Sequence, residues 1–335
     1  MTERSPCTII AGPCSIGPDS LPQIVDMARI TIRDLHGEMQ RAIAGARVVG
    51  LKSRTALSKD GLGMGIDYAV HQRNMKSLLA GGSISHMEIP PSAIMAGTIY
   101  ERTGLTIATE VCDPMVQLPP LARVMGGGPV FIWGPSVQGL GHPYQIMGDF
   151  AQTHPRWTVG EKNLKWLGEH VETAEDLSYE GATSMEGTWR GLTIWTSLPP
   201  ERMVMIHRGV DVAGKGDYRN QPIHQTAARV KTTTGIRMFF DPSHSLGPKM
   251  RNQIVDATIA AMQMHMPDGS PLYDGALVEA GDSQTDTGQH ITLDELGIMC
   301  QEIAKTRTLV GPDLHPSLRA QRERQGERSE VKGYE

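Results

Sequence analysis

Four side chains of metal-binding type are scattered through this chain: Cys14, His244, Glu279 and Asp286. Together they offer a soft thiolate, an imidazole and two carboxylates, a mixed donor set suited to a borderline divalent ion such as Mn, Fe, Co or Zn. An ion held this way would lower the pKa of Cys14, because the ligand is the thiolate. Each residue alone has a plainer explanation: Cys14 as a small core residue, His244 as a turn residue after Asp241-Pro242, the acids as solvated groups. Five cations accompany them, Arg47, Lys52, Arg54, Lys162 and Arg208. Buried positive charge needs an anion, and arginine forks with adjacent lysines suit phosphate and carboxylate groups. This points to phosphorylated substrates. The alternative is an internal ion-pair network with Glu110, Asp113 or Asp241.

These residues become one set through the elements that must carry them. Eight short apolar, β-branched runs recur, at Thr8–Ser15, Ala46–Lys52, Leu105–Val111, Gly128–Gly134, Arg156–Asn163, Arg202–Gly209, Ile236–His244 and Gly275–Gly281. Seven of the eight end at or near a charged residue, a thiol or an imidazole: Cys14, Lys52, Glu110, Lys162, Arg208, His244 and Glu279. A (β/α)8 barrel, the TIM-barrel fold, is built this way, with the strand C-termini sharing the one face where its chemistry sits. Strand–helix alternation supports a parallel sheet. Helices are expected from Leu21 to about His36, capped by Ser20 with Gln23 at the box position, from Asp67 to Leu79, and after the Thr292/Glu295 capping box, where Leu293, Leu296, Cys300 and Ile303 share one face. Gly81–Tyr100 and Glu169–Pro200 read as insertions or elaborated helices.

At 335 residues the chain suits one long α/β domain. The expected division is a barrel over residues 1–310 and a polar, mobile tail over 311–335 with almost no apolar residue. A net charge of −5 argues against a nucleic-acid partner. No run is apolar enough to span a bilayer, and Glu3 and Arg4 before a very short apolar run do not make a signal peptide. The four cysteines, Cys7, Cys14, Cys112 and Cys300, lack framework spacing, as expected in a reducing cytoplasm. Four Phe against 19 Met suggests a methionine-filled core.

Seven motifs in order extend this reading: IAGPCSI (10–16), RVVGLKSRT (47–55), IATEVCDP (107–114), VGEKN (159–163), IHRGV (206–210), DPSHS (241–245) and VEAG with TDTGQ (278–289). Over roughly residues 8–306 the chain resembles the phosphoenolpyruvate-dependent aldol-type synthases, above all 3-deoxy-D-arabino-heptulosonate 7-phosphate (DAHP) synthase. The resemblance implies a metal-dependent condensation of phosphoenolpyruvate with an aldose phosphate, most simply erythrose 4-phosphate, as the first step of the shikimate pathway. It implies metal ligation by Cys14, His244, Glu279 and Asp286. Phosphoenolpyruvate would be held by Arg47, Lys162 and Arg208, and the aldose phosphate by Lys52, Arg54 and Thr55. Lys52 would also donate a proton, and Glu110 and Asp241 would line the substrate site. Family members are usually homo-oligomers.

The match has departures. The family's fourth strand ends I-G-A-R, whose arginine binds the phosphate of phosphoenolpyruvate, whereas this chain reads Ile132-Trp133-Gly134-Pro135 and then Ser136-Val137-Gln138 without an acid. Ser53 replaces a proline in the aldose-phosphate motif. A different acceptor, such as arabinose 5-phosphate, and a barrel that binds a phosphorylated metabolite without catalysis are therefore the competing expectations.

Overall fold

The computed structural model describes residues 4–34, 36–52, 65–135, 141–163 and 184–311. Eight parallel strands form the barrel: Pro6–Gly12, Gly45–Arg47, Thr106–Glu110, Val130–Gly134, Trp157–Lys162, Met203–His207, Arg237–Phe240 and Gly275–Glu279. They are called strands one to eight below. Each pairs with its neighbours in sequence, and strand eight closes on strand one with Gly12 beside Glu279. The chain is a (β/α)8 TIM barrel, as its pattern of strand ends implies. A short ninth strand, Thr308–Leu309, lies along the start of strand one.

Side chains alternate between the two faces of each strand. Ile10, Ala108, Phe131, Trp133, Val204, Ile206, Phe239 and Leu277 fill the barrel interior, with the Phe131 ring 5.5 Å from Trp133 and 6.0 Å from Phe239. The opposite faces pack against the helices, and there methionines such as Met27, Met147, Met203, Met205, Met262 and Met299 are fully or nearly fully buried. The flexible thioether fills the irregular gaps between helix and sheet, which explains a core so poor in aromatics.

Glu161 belongs to that outer layer, since Lys162 beside it faces inward. It is buried, its Oε2 has no hydrogen-bond partner among the described residues, and only the Tyr144 hydroxyl favours its charged form. Burial therefore holds its carboxyl well above the usual range. The folded chain keeps a proton that the unfolded chain releases above about pH 4.3. Stability then falls with rising pH, by about 1.4 kcal/mol per unit, up to the raised folded value. Glu161→Gln is expected to remove that slope, so its melting temperature exceeds the parent's at pH 8 but not at pH 4. Equal differences at both pH values would contradict this account.

Several element boundaries differ from expectation. The first helix runs only Ser20–Ala28, and Thr31–Arg33 pairs antiparallel with Met39–Arg41. The β-branched run Ile30-Thr31-Ile32 favours strand over helix. The Asp34 carboxylate accepts from the backbone of His36 and Glu38 to make the turn, and Gln301 exchanges two hydrogen bonds with the backbone of Arg33. Ser20 does not cap its helix; its Oγ accepts from Gly17 N at 2.9 Å, and Gln23 is spent on Asp282. The Tyr68–Leu79 helix and the Thr292 box with helix Leu293–Ala304 stand as expected. Pro91–Thr103, which begins inside the Gly81–Tyr100 segment and runs three residues past it, is a helix packed on the barrel, the second of the two readings given for that segment. Of Glu169–Pro200, Ser184–Trp195 is a helix and 169–183 lies outside the described residues, as does the tail from 312.

Candidate active site

Strand C-termini deliver the site, through loops longer than the sequence suggests. Strand one ends at Gly12, two residues before Cys14. Gly12 has φ +147°, and a Cβ there would sit 3.0 Å from Arg47 N and Cβ, so only glycine lets strands one and two approach this closely. Strand two is three residues long, and Lys52 lies five beyond it. Strand seven ends at Phe240, and His244 rides on a short helix, Pro242–Leu246. Glu279 is the last residue of strand eight.

Cys14, His244 and Glu279 converge: one donor atom from each lies within 4.8 Å of the others, and all three are buried. Asp286 joins the edge of this cluster, with its Oδ2 3.5 Å from Cys14 Sγ. Its loop is stitched to the strand-one loop by Ser15 Oγ–Thr285 Oγ1 at 2.7 Å and Ser15 N donating to Ser283 Oγ at 3.1 Å. Asp286 itself adopts left-handed backbone (φ 54°, ψ 30°), a conformation aspartate tolerates better than most residues.

The donor set fits a borderline divalent ion. His244 Nδ1 lies 2.9 Å from Asp241 Oδ2, which commits that nitrogen to donation and turns the Nε2 lone pair toward Glu279 Oε1, 3.6 Å away. Burial holds the His244 pKa down at about 4, so the ring is neutral and its Nε2 lone pair is open to a cation. Burial, then the Glu279 charge, push the Cys14 thiol up to about 12. That thiol ligates only where a cation displaces its proton. A lone pair, a carboxylate and a thiol facing one another have little to gain without positive charge among them.

Glu279 is held from every side. Arg47 Nη2 lies 3.0 Å from its Oε1, Gln289 Nε2 donates to its Oε2, and His290 Nε2 is 3.6 Å from Oε2. Although burial raises a carboxyl pKa, His244, Arg47 and His290 together hold this one far below the usual range.

Three of the inner cations are matched one to one with acids. Besides Arg47–Glu279, Lys52 Nζ lies 3.3 Å from Glu110 Oε2 and Lys162 Nζ 2.8 Å from Asp241 Oδ2. The surplus of positive charge expected from the sequence is thus smaller, and the ion-pair alternative holds for these three. Asp241 spends its carboxylate on Lys162 and on the ring and backbone of His244, which makes it a positioning residue as much as a substrate contact. Burial lowers the pKa of Lys162, against the pull of Asp241, whereas Cys14 and Glu110 raise that of Lys52 despite its burial. Arg208 follows strand six, with its backbone N donating to Asn163 Oδ1 at 2.7 Å. Arg54 and Thr55 lie outside the described residues, as do Ser53 and Ser136-Val137-Gln138. The described cysteines are all free.

Trp133 carries a role the motifs alone did not reveal. Its ring lies under both Arg47 and Lys162, 5.6 and 5.7 Å from centroid to cation, where the π face stabilises guanidinium and ammonium groups. Gln289, inside TDTGQ, and Asn163, inside VGEKN, were visible as motif members; His290 and Trp133 had no such signal. No helix among the described residues is long and apolar enough to cross a membrane.

No protein-family model and no curated protein matches the chain. Solved structures do. Phospho-2-dehydro-3-deoxyheptonate aldolase (DAHP synthase) from Thermotoga maritima is 15% identical, with a TM-score of 0.61 over 91% of this chain and 72% of that one. A truncated form of 3-deoxy-D-arabino-heptulosonate 7-phosphate synthase from Thermotoga maritima is 15% identical, with a TM-score of 0.57 over 92% and 91% of the two chains. At this identity the likeness is one of fold: the chain is a TIM barrel like that of DAHP synthase.

Proposed function

We propose that this barrel is a metal-dependent synthase that condenses phosphoenolpyruvate with an aldose phosphate, most simply erythrose 4-phosphate, releasing inorganic phosphate. The observation that carries the reading is the meeting of Cys14, His244 and Glu279 donor atoms within 4.8 Å, beside Arg47 at the end of strand two and Lys52 in the loop that follows it. The fold likeness to DAHP synthase supports it.

Cys14, His244 Nε2, Glu279 and Asp286 would hold the ion. When bound, it supplies Lewis-acid polarisation of the acceptor's aldehyde oxygen. Arg47, Lys162 and Arg208 bind the carboxylate and phosphate of phosphoenolpyruvate, with Trp133 fixing two of them from below. Carbon 3 of the enol attacks the aldehyde carbon, forming the new bond, and water adds at carbon 2. The hemiketal phosphate so formed breaks its C–O bond and expels inorganic phosphate. Lys52, kept charged by Glu110 3.3 Å away, donates its proton to the nascent alkoxide. Glu110 holds Lys52 in place for that transfer. Arg54 and Thr55 grip the acceptor's distal phosphate. Holding two anionic substrates in register supplies a large share of the acceleration, since orientation is worth ~7–11 kcal/mol.

The acids paired with Arg47, Lys52 and Lys162 offset these three cations, and a divalent ion would shift the balance toward positive. Substrate binding should therefore depend on metal. Phosphate release from phosphoenolpyruvate, measured with and without erythrose 4-phosphate and with manganese or a chelator, tests the reading. Release only with both the aldose phosphate and metal is expected. Full activity in chelator, or release indifferent to every aldose phosphate tried, would overturn it.

A further inference from the structure

We propose that Gln289, oriented by Arg219, is a positioning residue for the candidate metal centre, holding one oxygen of Glu279 so that only the other meets the ion. The inference rests on the metal-dependent part of the synthase reading and deepens it by saying how the carboxylate ligand is presented.

Backbone pairing brings the Gln289 amide to Glu279. Beyond strand eight, Ile291 N donates to Glu279 O at 3.1 Å and Gly281 N to Ile291 O at 2.9 Å. Gln289 lies two residues ahead of Ile291, at the end of the single helical turn Thr287–Gln289, with its side chain buried. Its Nε2 donates to Glu279 Oε2, and its Oε1 accepts from Arg219 Nη1 at 2.6 Å. A guanidinium only donates and an ionised carboxylate only accepts, so the amide has one orientation. Reversed, it would set oxygen against oxygen and nitrogen against nitrogen.

The loop after strand six holds Arg219 firmly. Arg219 N donates to Leu246 O at 3.1 Å, Asn220 N to Ser245 O at 2.9 Å, and Asn220 Nδ2 to His244 O at 2.5 Å. The loop is thereby fastened to the helical turn that carries His244, and through Gln289 it reaches Glu279. One loop thus sets the spacing of two candidate ligands. Arg219 Nη1 also lies 3.5 Å from Asp286 Oδ1, while the other oxygen of that acid is the one near Cys14.

The two oxygens of Glu279 therefore have different surroundings. Oε2 is taken up by Gln289 and lies 3.6 Å from His290 Nε2. Oε1 accepts from Arg47 and faces His244 Nε2 at 3.6 Å. Metal–donor bonds of about 2.0–2.2 Å at a tetrahedral angle put two ligand atoms roughly 3.4 Å apart. The Oε1–Nε2 gap is close to that spacing. A carboxylate without the amide could turn and ligate through both oxygens; Gln289 prevents it.

Cobalt(II), a borderline ion whose absorption reports its ligands, tests this when titrated alone into the chelator-treated full chain. Thiolate ligation gives a charge-transfer band in the near ultraviolet, and the visible bands weaken as further donors join a four-coordinate ion. Gln289→Met, similar in length and volume, is expected to weaken cobalt binding by roughly 10- to 100-fold, the usual cost of removing a group behind a metal ligand. The thiolate band should remain, and the visible bands should diminish as Glu279 ligates through both oxygens. Arg219→Met leaves the amide but frees its orientation, at a side chain that is 34% exposed and so tolerant of change. It should weaken binding too, by less. Losing a positive charge beside Asp286 would by itself tighten a cation, so weaker binding there reports lost positioning. Parental affinity and visible bands in Gln289→Met, or binding by Arg219→Met as tight as the parent's, overturn the proposal. So does loss of the thiolate band along with the visible ones, the mark of a collapsed site. A parent that binds no cobalt ends the metal reading and this inference together. A parent that binds it but releases no phosphate fails the synthase reading alone and leaves this inference standing.

Discussion

On the synthase reading, Cys14→Ala is expected to lower the rate of phosphate release from phosphoenolpyruvate and aldose phosphate roughly a thousandfold and to abolish tight binding of a divalent ion. The magnitude follows from the several kcal/mol that a metal Lewis acid contributes, with each 1.36 kcal/mol worth a factor of ten. The thiol is the one soft donor of the cluster. Without it, His244 and Glu279 remain as two ligands with Asp286 at the edge, too few for a borderline ion to be held tightly. The substitution removes a single sulfur from a fully buried position, so the fold should survive, and a melting curve checks that. Cys14→Ser, with a harder and less acidic donor, should fall between parent and alanine variant in metal content. Parental turnover by Cys14→Ala with parental metal content would reduce Cys14 to a core residue and end the metal assignment.

The second large effect belongs to Lys52. Lys52→Met is expected to lower carbon–carbon bond formation by about 10²- to 10⁴-fold, the range for losing a positioned general acid. Methionine matches the length of the lysine stem but carries no proton. The change also strands Glu110, whose carboxylate is lowered in pKa by Lys52 first and then by Lys162 and Arg47. Breaking a buried pair in this way costs ~3–5 kcal/mol of stability. Lys52→Arg separates the two consequences: it keeps a charge opposite Glu110 but holds its proton too tightly to deliver it. Arginine should restore much of the melting temperature and little of the activity. Comparable turnover in Lys52→Arg and parent would take Lys52 out of the proton-transfer role and leave it as Glu110's counter-ion.

Both variants concern residues that could be picked out before any coordinates, and the reason lies in the architecture. A parallel barrel aligns all eight strand C-termini, so a residue's place at the end of an apolar run fixes the face on which it appears. Cys14, Lys162, Arg208 and Glu279 are where that rule puts them. The rule is coarser for His244, which stands four residues past its strand on a separate helical turn, and for Lys52, five residues past a strand of only three. Apolar runs in these loops look like continued strand because burial, whatever the backbone, selects the same residues. The Ile30-Thr31-Ile32 run misled in the opposite direction: it follows the first helix with no glycine or proline between them, while its partner strand at Met39–Arg41 carried no apolar pattern to announce a hairpin.

Residue types at strand ends, their order and the closed parallel sheet they demand were therefore determined by the sequence alone. The pairing of charges was decided only in three dimensions. Arg47 meets Glu279 across 232 positions and Lys52 meets Glu110 across 58, and strand-end position says nothing about which of several acids on one rim each cation will face. The same holds for Trp133 beneath two cations and for Gln289 on Glu279. Periodicity along a strand encodes a face; distance and direction between side chains on that face arise only when the barrel closes and its loops are tied together.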